Sequence, residues 1–180
     1  MKDAIKKASK TLKEGGIIIY PTDTVYGIGC NAFNKKSVEK IREIKGSDSK
    51  PFSVAVNGIE GVHAVAKVNE WQEETLSEKL PGPYTFVLEK KSFISDNVSR
   101  NGIGVRIPDH EHCLALLESV DFPLVTTSAN LSGRPPARSV KEIPKEILDR
   151  VDFVLDAGEL AGKPSTVVDL KKNSWKVLRT

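Results

Sequence analysis

Cysteine is scarce in this chain. Cys30 and Cys113 are the only two in 180 residues, and they form neither a CxxC pair nor a zinc pattern. A disulfide-stapled scaffold is thereby excluded, and reduced thiols in an intracellular protein are the simpler reading. Long apolar runs are missing too: nothing approaches the roughly 20 residues of a membrane span. The first fourteen residues are too charged for a signal peptide, so the expectation is a cytoplasmic protein with no membrane partner. Charge of one sign is not in excess, with 27 basic against 24 acidic residues and a net charge of +3. No Lys/Arg-rich block stands out, so charge neither demands nor excludes an anionic partner. No GxxxxGK[ST] loop and no GxSxG elbow occur, which removes a P-loop and a hydrolase nucleophile as motifs. His110 and His112 flank Glu111, but two helical positions apart they point in different directions and lack a third ligand, so no metal site is expected.

What remains is ordinary soluble material, 39% apolar and 28% charged, without repeats, low-complexity tracts or an evident linker. That fits one domain over residues 1–180, burying about two-thirds of the surface its unfolded chain exposes. Ala4, Ile5, Ala8 and Leu12 share a helical face, stopped by Gly15 and Gly16. Ile17 to Tyr20 reads as a buried strand. Ser37 is placed to cap a helix carrying Val38, Ile41 and Ile44, residues 52–56 suggest a short strand, and residues 59–79 a helical stretch. Pro81-Gly82-Pro83 breaks the chain before the strand "YTFVLEK". "IGVRIP" is another strand, with Asp109 placed to cap a helix bearing Leu114, Leu116 and Leu117. "FPLVTT" follows, then a further helix from Ser139 and three late strands, "DFVLD", "STVVDL" and "WKVLR". Interleaved but irregular elements fit a twisted mixed parallel and antiparallel α/β sheet flanked by helices better than a doubly wound one.

Two segments resist simple assignment. In "IIIYPTDTVYGIGC" the Gly27-x-Gly29-x-x-Ala32 spacing formally matches a dinucleotide fingerprint, but Pro21 to Asp23 interrupt the approach and no helix leaves the last position. An open loop after Pro21 would instead offer Thr22, Asp23, Thr24 and Tyr26 to a ligand at a strand's carboxyl end. A self-satisfied turn explains the same residues equally well. In "TTSANLSGRPP", Ser128, Asn130 and Ser132 crowd hydroxyl and amide groups beside Gly133, suited either to phosphate oxygens or to a plain loop. Lys45 at a helix end is explained by the helix dipole alone. Arg106, inside an apolar strand, must face solvent or pair with an anion.

The ordered blocks "YPTDTVYGIG", "IKG…KPFSV", "PGPYTFVL", "GVRIPDH", "TTSANLSGRP", "PSTVVDL" and "VLR" resemble the YrdC-type family of threonylcarbamoyl-AMP synthases, from about residue 15 to residue 179. The resemblance implies a YrdC-like fold with a large basic cavity. It also implies a nucleotidyltransferase that makes threonylcarbamoyl-adenylate and pyrophosphate from L-threonine, bicarbonate and ATP with Mg²⁺. The product serves tRNA modification and is handed to a threonylcarbamoyl-transferase complex. Matched position by position, Thr24, Tyr26, Thr85, Arg106 and Ser165 fall at the threonine site. Lys45, Ser128, Asn130 and Arg179 fall at the nucleotide, with Lys45 as the catalytic cation near the triphosphate.

The match departs from the family in one loop. Where the family has K-G-R-P-x-x-x-P, this chain reads Lys45-Gly46-Ser47-Asp48-Ser49-Lys50-Pro51, so the arginine is missing and the loop is one residue short. Lys50 is the candidate replacement at the nucleotide. The alternative is a paralogue that binds tRNA or double-stranded RNA and keeps the cavity without the synthase chemistry.

Overall fold

Alternate residues of the first strand enter two different cores. In the computed structural model, which describes residues 1–46, 50–160 and 162–180, Ile17 and Ile19 belong to one core and Ile18 and Tyr20 to the other. The chain runs α1 (Lys2–Lys13), β1 (Ile18–Tyr20), β2 (Gly27–Gly29), α2 (Lys35–Lys45), β3 (Ser53–Ala55), α3 (Gly58–Val65), β4 (Ala66–Lys67) and α4 (Glu70–Lys79). It continues with β5 (Tyr84–Lys90), β6 (Ile103–Arg106), α5 (Glu111–Glu118), β7 (Leu124–Ser128), α6 (Lys145–Leu148), β8 (Phe153–Val154), β9 (Thr166–Asp169) and β10 (Lys176–Arg179). Among the described residues the strands form one sheet in the order β10-β9-β5-β6-β3-β7-β2-β1-β8, with β4 on β5. The β1–β8, β3–β6 and β5–β9 pairs are parallel and the others antiparallel. This is the mixed sheet flanked by helices that the sequence suggests.

Several local expectations are corrected. Asn34, not Ser37, caps α2: its side chain accepts the Ser37 N–H at 3.2 Å. Ser37 already lies in the first turn, and its hydroxyl donates to the Gly15 carbonyl at 2.6 Å. Gly46 closes the helix in the left-handed region at φ 60°, where glycine is the unstrained choice. Val38, Ile41 and Ile44 are buried along the helix, each worth about 1.5–3 kcal/mol. Asp109 caps nothing, because α5 starts one residue later than expected, with His110 at its N-cap position and no side-chain cap bond. Residues 59–79 do not form one helical stretch. β4 splits them by pairing Ala66 and Lys67 with the far end of β5, and α4 restarts from a reciprocal Asn69–Gln72 capping box.

Gly27 and Gly29 do not turn the chain. They form β2, antiparallel to β1 and β7, and so carry no dinucleotide loop. Their missing side chains make room: a Cβ on Gly29 would sit 2.4 Å from the Val125 carbonyl and 2.8 Å from the Tyr20 ring.

The two cores lie on opposite faces of the sheet. On one face Val54, Phe86, Val105, Val125 and Val168 pack with residues of α2, α3, α4 and α6. On the other, Ile18, Tyr20, Ala55 and Leu124 meet Ala8 and Leu12 of α1 and Leu116 and Leu117 of α5. Those two helices cover only the β8-to-β3 part of their face. The rest is left open.

Candidate functional site

Strand alternation places Thr85 and Val87 of β5, Gly104 and Arg106 of β6, and Val167 and Asp169 of β9 around one cavity of about 610 Å³ on the open part of that face. Register across the sheet sets Thr85 beside Val167 and Val87 beside both Gly104 and Asp169. The strand segment "IGVR" therefore alternates Ile103 and Val105 into the core with Gly104 and Arg106 into the cavity.

The turn after Pro21 is self-satisfied and borders the cavity. Thr22 Oγ1 donates to the Val25 carbonyl at 2.8 Å and accepts the Thr24 N–H at 3.1 Å. That leaves Thr24 lining the cavity. Arg106, only 6% exposed, does not face solvent. Its Nη1 donates to Thr24 Oγ1 at 3.1 Å and its Nη2 to Asp23 Oδ1 at 2.5 Å, so its anion partner is internal. Beside it, Thr85 and Ser165 share a hydroxyl–hydroxyl bond of 2.9 Å. Arg179 Nη2 donates to the Ser165 carbonyl at 3.0 Å. Burial, then the like charge of Arg106, pushes the Arg179 guanidinium below its ordinary range.

At the other end, Lys45 is buried beneath the loop after β7. Its Nζ donates to the Ser128 carbonyl at 2.6 Å, the Asn130 carbonyl at 2.7 Å and Asn130 Oδ1 at 2.9 Å. An ammonium has three N–H donors, and all three are engaged. Lys45 is not among the residues lining the cavity, whereas Ser128, Asn130 and Arg134 are. Its contact is thus with the S-x-N element rather than directly with the cavity. Burial, then the charge of Lys50, pushes its pKa down to about 8. Lys50 itself is exposed and reaches Ser132 Oγ at 3.4 Å. The Ser47–Ser49 stretch, where the family arginine is missing, lies outside the described residues.

Tyr26 lines the cavity, but its hydroxyl is engaged on the far side, where it accepts the Ala157 N–H and has Gly158 O at 2.8 Å and Asp156 Oδ1 at 3.0 Å as acceptors for its single proton. What it fastens is the segment leading to Ser165. That segment passes so close to the Thr22–Thr24 turn that a Cβ on Gly162 would lie 2.4 Å from the Thr24 carbonyl.

Sequence reasoning assigned no role to Arg134 or Thr126, both of which line the cavity. Arg134 was visible inside "SANLSGRP", while Thr126 reads only as the end of a strand. Asp23 was noted as a possible ligand group and proves to be the partner of Arg106. Cys30 and Cys113 are free and buried, with burial pushing both thiols up to about 12. No group of three or more metal-ligating side chains occurs among the described residues, and no helix there is long and apolar enough to cross a membrane.

The Sua5/YciO/YrdC family model, described as "Telomere recombination", matches residues 10–180. A Methanocaldococcus jannaschii protein named putative threonylcarbamoyl-AMP synthase is 41% identical over 172 residues, covering 94% of this chain and 82% of that protein. The structure of P. abyssi Sua5 complexed with L-threonine superposes with a TM-score of 0.92 at 32% identity, over 97% of this chain. This chain spans 53% of that structure, about half its length. The crystal structure of E. coli YciO matches with a TM-score of 0.91 at 29% identity, over 99% of this chain and 89% of that one.

Proposed function

The chain belongs to the Sua5/YciO/YrdC family, and on that premise we propose that it is an L-threonylcarbamoyladenylate synthase. The observation that carries this reading is the convergence of two polar clusters on one cavity of about 610 Å³. Thr24, Thr85, Arg106 and Ser165 gather at one cluster, and Ser128, Asn130 and Arg134 at the other. That volume lies within the range of small-molecule sites.

In this reading the amino-acid carboxylate meets the remaining N–H groups of Arg106, which suit a planar anion. The Thr85–Ser165 hydroxyl pair receives the threonine hydroxyl, a contact that rejects valine by leaving polar groups unpaired when it is missing. The threonine amine takes up CO₂ from bicarbonate, and water is released. One oxygen of the resulting carbamate attacks the ATP α-phosphate, the bond to the β-phosphate oxygen breaks, and pyrophosphate leaves. Ser128 and Asn130, with Arg134 and Arg179, face the phosphates. Lys45 acts as a positioning cation that fixes the S-x-N element rather than as a direct phosphate ligand. Mg²⁺ would arrive on ATP and neutralise its phosphates; Asp169, the one side-chain carboxylate among the described residues that line the cavity, pairs with Lys171 at 3.5 Å. Catalysis rests on positioning and electrostatics, with Arg106, Arg134, Lys171 and Arg179 supplying a basic lining.

The product's mixed anhydride would carry the threonylcarbamoyl group to tRNA through a transferase complex, and the proposed compartment is the cytoplasm. Incubation with ATP, Mg²⁺, bicarbonate and L-threonine should release pyrophosphate only when threonine is present. Threonine-independent release, or none, removes the synthase reading. Tight binding of tRNA or duplex RNA in that case would favour the RNA-binding alternative.

A further inference from the structure

We infer that Asp23 is a positioning residue for substrate capture, setting the orientation of the Arg106 guanidinium and keeping the amino-acid end of the cavity closed to phosphates. The inference rests on Arg106 as the partner of the substrate carboxylate. Asp23 does not line the cavity, while its neighbours Thr22 and Thr24 do. It stands behind Arg106, and the two side chains are 9% and 7% exposed.

Two anchors hold the guanidinium. Asp23 Oδ1 takes Nη2 at 2.5 Å and Thr24 Oγ1 takes Nη1 at 3.1 Å. One anchor would leave the planar group free to rotate, whereas two at different nitrogens fix its plane. An arginine and a carboxylate that relax onto each other commonly close a fork of two parallel bonds. Here they do not: Arg106 Nε and Asp23 Oδ2 are both buried without a protein partner. Thr24 draws the guanidinium away from a closed fork, so three of its five N–H donors are engaged by neither Asp23 nor Thr24.

A buried cation with no anion is costly, and Asp23 neutralises this one before any ligand arrives. A neutral pair attracts ligands by directed hydrogen bonds rather than by net charge, so it favours a carboxylate of the right shape over a polyanion. Arg134, in contrast, lines the cavity with Ser128 and Asn130, has no side-chain partner among the described contacts, and keeps its charge for a phosphate. Asp23 thus divides a cavity lined by several cations into an end selective by geometry and an end selective by charge.

Pyrophosphate-release kinetics on the wild type, Asp23→Asn and Arg106→Gln test this. Both variants should raise the threonine KM about tenfold or more while the ATP KM moves less than about twofold. Inorganic phosphate should compete with threonine in Asp23→Asn and not in the wild type. If Asp23→Asn keeps the wild-type threonine KM while Arg106→Gln raises it, the role of Asp23 is overturned and the carboxylate reading stands. If Arg106→Gln leaves the threonine KM unchanged, both fall together. Should Asp23→Asn not fold, side-chain NMR of the wild type decides. Restricted rotation with separate Nη signals for Arg106 supports the anchoring, and signals averaged as in a free guanidinium overturn it.

Discussion

The two halves of one sheet face are built from the same strands with different residues. Ala55 and Ser53 stand two positions apart on β3. Ala55 pairs with Leu124 and joins the core shared with α1 and α5, whereas Ser53 pairs with Thr126 and lines the cavity. Strand geometry is common to both, so cover decides the chemistry. Where helices lie over the face the inward residues are apolar, and where they stop the same alternation delivers hydroxyls, glycine and arginine. The site is the part of the sheet that the helices leave uncovered.

The comparison breaks most visibly in the covered half. Leu116→Ala empties a fully buried position and should cost about 2–5 kcal/mol in denaturant unfolding. Specific activity of the folded fraction should stay the same, and a matching loss of activity would show that the halves are not independent. At the seam, Gly29→Ala drives a methyl group toward the Val125 carbonyl and the Tyr20 ring. About 1–3 kcal/mol is expected, read as a lowered Tm, and an unchanged Tm would mean that both the Val125 backbone and the Tyr20 ring shift aside at little cost.

The smallest effect is a titration in the open half. Lys45 has its pKa depressed to about 8, below the unfolded lysine value, so the folded state disfavours its proton. Between about pH 8 and the unfolded pKa the unfolded chain binds more protons, and this group's contribution to stability rises with pH. Over the same window the ammonium loses one of the three donors that hold Ser128 and Asn130. The ATP KM should therefore rise about three- to tenfold, the worth of one hydrogen bond, without a fall in Tm from this residue. Lys45→Met should remove that pH dependence.

The fold was legible where one physical cause fixes the pattern. β5, β6 and β7 follow from apolar runs bounded by Pro81–Pro83 and Pro108, and the faces of α1 and α2 from helical spacing. Caps were less legible, since Ser37 and Asp109 are good capping residues displaced by one to three positions from where the helices begin. β2 was missed because glycine signals a turn when read along the chain. Here the cause is the Tyr20 ring packed across it. Resemblance named Thr24, Tyr26, Thr85, Arg106, Ser128, Asn130, Ser165 and Arg179, which line the cavity, and Lys45 and Lys50, which do not; it passed over Thr126 and Arg134 and gave no geometry. Nothing near Lys45 in sequence announces that its partners lie more than 80 residues away, nor does a strand arginine reveal that its anion is Asp23.

Of all the cavity's walls, β10 has the least to hold it. Its four residues are exposed, β9 is its one neighbour in the sheet among the described residues, and their pairing slips register between Val177 and Arg179. Local opening costs least where little is buried. Arg179, bonded to the Ser165 carbonyl, thus ties the amino-acid end of the cavity to the wall whose local opening costs least.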